Sequence, residues 1–554
     1  MNGTQASNGV LHLDALIIGS GFSGIYLLHK LRDELKLKVK IFEAESDIGG
    51  TWNNNRYPGA RVDCPVPFYA YSLPEVWQSW NWTELYPNQK EIKSYFDHVD
   101  RVLDVRKDCL FHSRVNEGTF DEATGRWTVW TTDGKVATAK YLLVAVGFAS
   151  KSYLPDWKGL DSFKGTIYHS AHWPEAEEIS VKGKKVAVIG TGSTGIQIFQ
   201  EWAREAEEAF LFQRTPNLCL PMRQQELHAG YQVKNKGEYA DYLAECALTF
   251  GGLEYQQTPK NTFDASEEER EAFWEDLYQM GGFRFWQNNY QDLLTSLDTN
   301  REAYNFWARK TRARIQDPKK RDLLAPLEPP YPFGTKRPSL EQDFYEQFNK
   351  SNVHIVDTKS QPIVGVTPTG IVTADEKVHE VDIIAVATGF DAVTGGLLRL
   401  GLKDVNGVGL DERWKDGMST YLGMAISGFP NMFLPYSLQA PTAFANGPTL
   451  IELQGDWITS LIRKMEMENV QSVTATPHAE KSASLQGHRG SWRLHLVCHR
   501  SKCLGCSTLT IALKVRRRIQ PEVLKVELWL SKFQKSVDCP LDPVEPVRIT
   551  YEPG

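Results

Sequence analysis

The stretch Leu13-Asp14-Ala15-Leu16-Ile17-Ile18-Gly19-Ser20-Gly21-Phe22-Ser23-Gly24 decides the fold. Leu13 to Ser20 is a short apolar run that ends in glycine, the mark of a buried strand. Phe22 to Leu31 follows with helical periodicity, and Lys38 to Phe42 reads as a second strand. Together they form a β-α-β unit at the start of the chain. The turn between the first strand and the helix has the pattern Gly19-x-Gly21-x-x-Gly24. Its first glycine allows a tight bend. The second lets a pyrophosphate approach the backbone, and the third lets helix and strand pack closely. The start of the helix offers free N–H groups and a favourable dipole to phosphate. Glu43 lies 24 residues after Gly19, where a carboxylate accepts hydrogen bonds from ribose hydroxyls.

Working outward, the pattern recurs. Lys185 to Ile189 is a strand, Gly190-Thr191-Gly192-Ser193-Thr194-Gly195 a second turn, Ile196 to Ala206 a helix and Ala209 to Phe212 another strand. Counting 24 residues from Gly190 reaches Arg214, where the first unit has Glu43. A carboxylate repels a ribose 2′-phosphate, whereas arginine binds it as a fork. Thr215 adds a further donor. The first turn therefore suits FAD and the second suits NADPH.

Val381 to Ala387 is a third apolar strand, closed by Thr388, Gly389 and Phe390. Residues 221–330 are rich in charge, Trp and helix formers, notably Glu267 to Leu277 and Tyr304 to Arg314. The segment Pro326 to Pro338 holds five prolines and reads as an ordered connector. The expected fold is α/β, with two Rossmann-like dinucleotide-binding domains (FAD and NADPH) and a helical insertion. The expected division is FAD domain 1–150, NADPH domain 151–220, helical insertion 221–330, NADPH domain again 331–380, FAD domain again 381–480 and a divergent tail 481–554.

Composition narrows the classes. The chain has 554 residues, 41% hydrophobic and 24% charged, as in an ordinary globular protein. Its 62 basic and 69 acidic residues leave a net charge of -7, which argues against nucleic acid as a partner. No run approaches the length of a membrane span, and Met1 to Val10 lacks the apolar core of a signal peptide. Eight cysteines in so long a chain read as reduced thiols of a cytoplasmic protein rather than a disulfide framework.

Three further motifs carry a resemblance. Phe163-Lys164-Gly165-Thr166-Ile167-Tyr168-His169-Ser170-Ala171-His172-Trp173-Pro174 resembles the F-x-G-x-x-x-H-x-x-x-W-P fingerprint of Baeyer–Villiger monooxygenases. Gly49-Gly50-Thr51-Trp52, then Tyr57-Pro58-Gly59 and Asp63, resembles the same family. Ala387-Thr388-Gly389-Phe390-Asp391 is similar to the linker motif of flavin monooxygenases. The resemblance spans about residues 12–480. Trp52 excludes the rival disulfide-reductase chemistry, which places a redox-active cysteine just after the equivalent glycines. Cys64 has no nearby cysteine for a dithiol relay.

The resemblance implies the chemistry. Gly334-Thr335-Lys336-Arg337-Pro338 is similar to the segment that carries the family's catalytic arginine, which makes Arg337 and its orienting carboxylate Asp63 the catalytic pair. By the same resemblance Thr51, Trp52, Asn53, Asn54, Asp63, Cys64 and Tyr69 contact FAD, beside Gly19, Gly21, Gly24 and Glu43. Arg61, Val62, Thr191, Gly192, Ser193, Thr194, Gly195, Ile196, Gln197, Arg214 and Thr215 contact NADPH, with Lys336 reaching the 2′-phosphate. His169 organises the linker rather than performing chemistry. NADPH reduces the flavin, O2 adds to give a C4a-peroxide, and that anion attacks an apolar ketone to give an ester or lactone. Arginine stays charged throughout and stabilises each anionic stage. No metal is expected. A bulky ketone of secondary metabolism is the expected substrate.

Two departures stand out. The family's Gly-Pro pair near the flavin is replaced by Tyr436-Ser437-Leu438-Gln439-Ala440-Pro441. After Ser491-Trp492 the chain leaves the family pattern for Arg493-Leu494-His495-Leu496-Val497-Cys498-His499. The tail also holds Cys503 and Cys506, a single C-x-x-C with no second pair at zinc-finger spacing. A shifted reading frame and a divergent folded tail are both open readings. The rival functions are oxygenation of a sulfide or amine, and an uncoupled or inactive paralogue.

Overall fold

The computed structural model describes residues 9–483, apart from 176–178, 231–234, 392–393, 438 and 440–443. The tail residues His495, Cys498, His499, Cys503 and Cys506, and Leu438, Ala440 and Pro441 of the altered flavin-edge segment, lie outside the described residues.

The first sheet contains β1 (Leu11–Ile18), β2 (Val39–Phe42), β3 (Cys109–Leu110), β4 (Val115–Asp121), β5 (Arg126–Thr131) and β6 (Val136–Val144). Their order is β3-β2-β1-β6-β5-β4, and the short strand Met432–Phe433 adds a seventh partner on β6. β1 lies parallel to both β2 and β6, and β4, β5 and β6 form an antiparallel meander. The near-continuous apolar run of β1 follows from burial on both faces. Ala15 and Ile17 enter one core cluster, while Leu16 and Ile18 enter another.

The helix Phe22–Leu28 is buried at every residue and continues as a wider, π-helical turn through Glu34. That turn ends at Leu35 and delivers the chain to β2. The helix Gly447–Met467 packs across it from the far end of the sequence. Gly455 makes this close crossing possible, since a Cβ there would lie 2.6 Å from the Tyr26 ring.

The second sheet holds β7 (Thr166–His169), β8 (Lys185–Ile189) and β9 (Glu208–Gln213), with the strands Ile383–Val386 and Val353–Asp357. Every pairing in it is parallel. Ile383–Val386 sits between β7 and β8. Of the residues from 381 onward, Ile383–Val386 thus joins the second sheet, and Met432–Phe433 joins the first. A strand buried on both faces reads the same in either sheet, and only its neighbours decide which it joins. A small antiparallel sheet over residues 363–380 covers one face, with Val366 and Ile371 packed on Ala187, Ile189 and Phe212. Between β9 and Val353 the chain makes the expected helical excursion, including Glu267–Met280 and Leu297–Arg312.

The chain passes between the two sheets along two neighbouring segments, 147–155 and 388–391. They are cross-linked by a Ser152–Phe390 bridge and by the Lys151–Asp391 ion pair at 2.6 Å. Tyr153 O accepts a hydrogen bond from Thr388 Oγ1 at 2.6 Å and lies 3.2 Å from His169 Nε2. Gly165 precedes β7 because Asp382 O would lie 2.1 Å from any Cβ there. Trp173 closes the same region, its ring centroid 5.1 Å from Tyr168 and 5.8 Å from Trp202. The fingerprint is thus the packing code of the crossing. Burial holds the His169 imidazole below its ordinary pKa, so it serves as a neutral tie.

Candidate active site

Both glycine-rich turns show the geometry their patterns require. Gly19 has φ 100° and Gly190 φ 112°, conformations open to glycine. A Cβ on Gly24 would lie 1.9 Å from Gly19 O, and one on Gly195 would lie 2.0 Å from Gly190 O. At the middle positions the space is open. Gly192 has nothing within 4 Å of a Cβ, and Gly21 faces only the Cα of Gly50 at 3.7 Å. Each turn is therefore tight where helix meets strand and vacant where a pyrophosphate would approach, which fits a dinucleotide at both.

Glu43 ends the edge of the first site. Its Oε2 accepts from Ser20 N at 2.7 Å and Ser20 Oγ at 2.6 Å, and its Oε1 accepts from Glu45 N at 2.9 Å. These donors fix the buried carboxylate and fill both lone pairs of Oε2, while Oε1, with a single donor, keeps an acceptor site for a ribose hydroxyl. Gly49 and Gly50, both at positive φ, fold the next segment back against the first turn. The short helix Thr51–Asn54 follows. Thr51 is exposed and Asn54 half-buried. Asn53 is buried with its Nδ2 lacking a partner, a donor aimed at a missing acceptor. Trp52 Nε1 donates to Tyr69 Oη at 2.9 Å.

Arg337 is brought to this region by the segment after the helical excursion. Its Nε and Nη2 each lie 2.7 Å from one oxygen of Asp63. Nη2 also reaches Cys64 Sγ at 3.1 Å, and Nη1 reaches Ala445 O at 3.5 Å. The guanidinium stacks 4.6 Å from the Phe283 ring centroid. Burial pushes the Arg337 pKa down, but the charge and hydrogen bonds of Asp63, with neighbouring Cys64 and Tyr436, together outweigh it and hold the group above its ordinary value. Burial pushes the Cys64 thiol up to about 12, with Arg337 opposing. Cys64 is thus a neutral neighbour, not a nucleophile.

The second site has a different electrostatic character. Arg214 is exposed after β9 and makes no ion pair among the described residues. Thr191 Oγ1 donates to Thr215 O at 2.6 Å and Asn217 Nδ2 donates to Thr191 O at 2.9 Å, which ties the turn to the Arg214 segment. Lys336 Nζ lies over the Tyr331 ring at 4.4 Å, and Tyr331 Oη donates to Pro216 O at 3.4 Å. Two cations from distant segments therefore converge near the second turn.

Not every sequence-derived position presents a free side chain. Ile196 and Val62 are core residues, so only their backbone can face a nucleotide. Ser193 Oγ lies 2.9 Å from Ser339 Oγ, and the Gln197 amide and Thr194 hydroxyl are bonded to the Tyr57–Arg61 segment. Arg61 Nη1 is occupied by Glu84 Oε2 at 2.9 Å and Tyr86 O at 3.1 Å, while its buried Nε has no partner among the described residues. Sequence reasoning missed Phe283. The pair Gly281-Gly282 before Phe283, both at positive φ, is the signal that an aromatic is being aimed. Tyr436, which the sequence marks only as part of the altered segment, has φ 50°, and its ring lies 5.8 Å from Phe148.

Among the described residues no cluster of His, Cys, Asp or Glu is placed to hold a metal ion, and no helix is long and apolar enough to cross a membrane.

The profile of flavin-binding monooxygenase-like proteins matches residues 14–234. The FAD-binding monooxygenase acrE of Aspergillus aculeatus is 48% identical over 476 residues, 86% of this chain and 80% of that protein. Cyclopentanone 1,2-monooxygenase of a Comamonas species is 43% identical over 472 residues, 85% of each chain. The crystal structure of OTEMO in complex with FAD and NADP matches with a TM-score of 0.85 at 36% identity, over 88% of this chain and 93% of that one. Fold and site define a flavoprotein oxidoreductase with two dinucleotide sites. The chain belongs to the flavin-binding monooxygenase-like family, as an FAD- and NADPH-dependent monooxygenase of the Baeyer–Villiger type.

Proposed function

We propose that the protein inserts one oxygen atom of O2 into an apolar cyclic ketone, giving a lactone, in secondary metabolism and in the cytoplasm. The observation that carries this is the Arg337–Asp63 fork, in a chain that also holds an open FAD-type turn and a cation-flanked NADPH-type turn. FAD, once reduced by NADPH, supplies the activation of dioxygen. The residues of the chain do the rest. Arg337 presents a permanent positive charge to the anionic stages of the reaction and to the carbonyl oxygen as it gains charge. Asp63 and Phe283 hold the guanidinium on its edge and on its face. Gly19, Gly21, Gly24, Glu43 and Asn53 hold the FAD, with Trp52 and Tyr69 beside its ring. Arg214 and Lys336 grip the 2′-phosphate, and the 190–195 turn takes the pyrophosphate.

In this reading residues of the first sheet, with the return that includes Met432–Phe433 and the helix Gly447–Met467, form the FAD domain. The second sheet forms the NADPH domain. The test is isotopic. FAD-loaded protein, NADPH, labelled O2 and a panel of cyclic ketones are expected to give a lactone carrying one labelled oxygen. NADPH oxidation with matching hydrogen peroxide and no ester from any ketone would overturn the proposal.

A further inference from the structure

One contact between the two nucleotide units is made by a side chain to which no role has been given. Tyr57 Oη lies 3.2 Å from Gln197 Oε1 and 3.2 Å from Thr194 Oγ1. The hydroxyl donates to the first and accepts from the second. The other end of the Gln197 amide donates to Arg61 O at 3.0 Å. Both polar ends of Gln197 are therefore committed to the 57–61 segment. Gly59, at φ 75°, brings that segment so close that a Cβ would lie 2.6 Å from Gln197 O. Arg61 and Gln224 both anchor on Glu84 Oε2 and Tyr86 O, which stiffens the base of the segment.

Position gives this contact its meaning. Thr194 and Gln197 lie in the first two turns of the helix that starts at the second glycine turn. Tyr57 lies three residues after the Thr51–Asn54 helix and six before Asp63, the partner of Arg337. The ring is buried, so a phenylalanine would fill the same space. A buried hydroxyl is costly unless it is paired, and this one is paired twice to the other unit.

We infer that Tyr57 is a positioning residue, whose hydroxyl fixes the NADPH turn against the segment carrying Asp63 and so sets the approach of the nicotinamide to the flavin. This rests on the proposed nucleotide roles of the two turns. Hydride transfer requires the reacting atoms within about 3–3.5 Å of each other, and a misplacement of about 1 Å costs up to about 100-fold in rate.

The experiment uses FAD-loaded wild type, Tyr57→Phe, Gln197→Leu and the double variant. In Tyr57→Phe, anaerobic flavin reduction by NADPH is expected to slow about 10-fold or more. Reoxidation of dithionite-reduced flavin by O2 and the affinity for NADP+ stay at wild-type values. Amide hydrogen exchange rises in residues 193–200. The double variant is expected to be no slower than either single one, as for two residues that act through one contact. Thr194→Val, which removes one of the two bonds, gives a smaller slowing and serves if Tyr57→Phe does not fold. Wild-type reduction and exchange in Tyr57→Phe would overturn the inference. So would equal losses in reduction and reoxidation, which mark general disruption. A wild type that NADPH cannot reduce would overturn the nucleotide roles themselves, and the inference with them.

Discussion

Arg337 and Asp63, 274 residues apart in sequence, meet fork to fork with two contacts of 2.7 Å. The pair holds a guanidinium edge-on at the site, while Nη2 also reaches Cys64 and Nη1 reaches Ala445. Lysine can supply charge but not this planar fork. Arg337→Lys and Asp63→Asn are each expected to lower oxygenated product by about 100- to 1000-fold, the cost of losing a preorganised charge stabiliser. Reduction of the flavin by NADPH should persist in both. The check is the ratio of NADPH consumed to ester formed, which rises steeply as peroxide replaces product.

Arg214 is exposed and without an ion pair among the described residues. A charge-assisted bond to a phosphate is worth about 1.5–3 kcal/mol, so Arg214→Ala should raise KM for NADPH about 10- to 100-fold. KM for NADH, which lacks the 2′-phosphate, should not change. Steady-state kinetics with the two nucleotides checks this, and an equal rise for both would refute the assignment.

The two glycine turns allow a paired test. Gly24→Ala puts a methyl group into Gly19 O, while Gly195→Ala puts one into Gly190 O. The first is expected to yield protein without the yellow absorbance of FAD. The second should retain FAD but fail to be reduced by NADPH.

Glu452, on the helix Gly447–Met467, accepts from Ser72 N at 2.7 Å and Ser72 Oγ at 2.5 Å. Burial raises its pKa from 4.5 to about 7, with nearby Asp456 adding to the rise and the Ser72 bonds and Lys30 opposing it. Tyr26, whose hydroxyl donates to Asp456, also faces it, with the buried Tyr71 and Tyr95. A raised carboxylate pKa means the folded state holds its proton longer than the unfolded chain. This contribution to stability is present below pH 4.5 and is lost as pH rises to about 7. Glu452→Gln keeps an acceptor for Ser72 but cannot ionise. Its melting temperature relative to wild type should therefore climb across that window and then level off. Thermal melts in a pH series decide the matter, and a flat difference would refute it.

The two glycine turns were legible because they are local. Every residue that makes the bend, the close packing and the open cradle lies within six positions, and β8 matches its expected bounds at Lys185 and Ile189. The helix after it begins at Ser193, not Ile196, since its first turn is made by the motif itself. What was not legible is what depends on distant partners. Ile383–Val386 carries no local mark of the sheet it joins. Val62 and Ile196 matched the motif yet turn into the core. Phe283 and Tyr57 act only through groups more than fifty residues away. Arg337 and Asp63 were paired through resemblance, because nothing local to either one shows the other.

The helix Gly447–Met467 crosses the helix Phe22–Leu28, and Met432–Phe433 adds to the edge of β6. During synthesis the first nucleotide unit therefore emerges first but is finished last. Its opening strands leave the ribosome with part of their apolar surface uncovered, and they wait for more than four hundred residues before the closing helix arrives. The second unit, contained within that interval, can complete its own sheet once Ile383–Val386 is made. Domains tend to fold as they emerge, N-terminal first, and this chain inverts that order. Its growing form is exposed longest at the very segment that names its fold, so a chain cut short before residue 447 leaves its earliest strands without their cover.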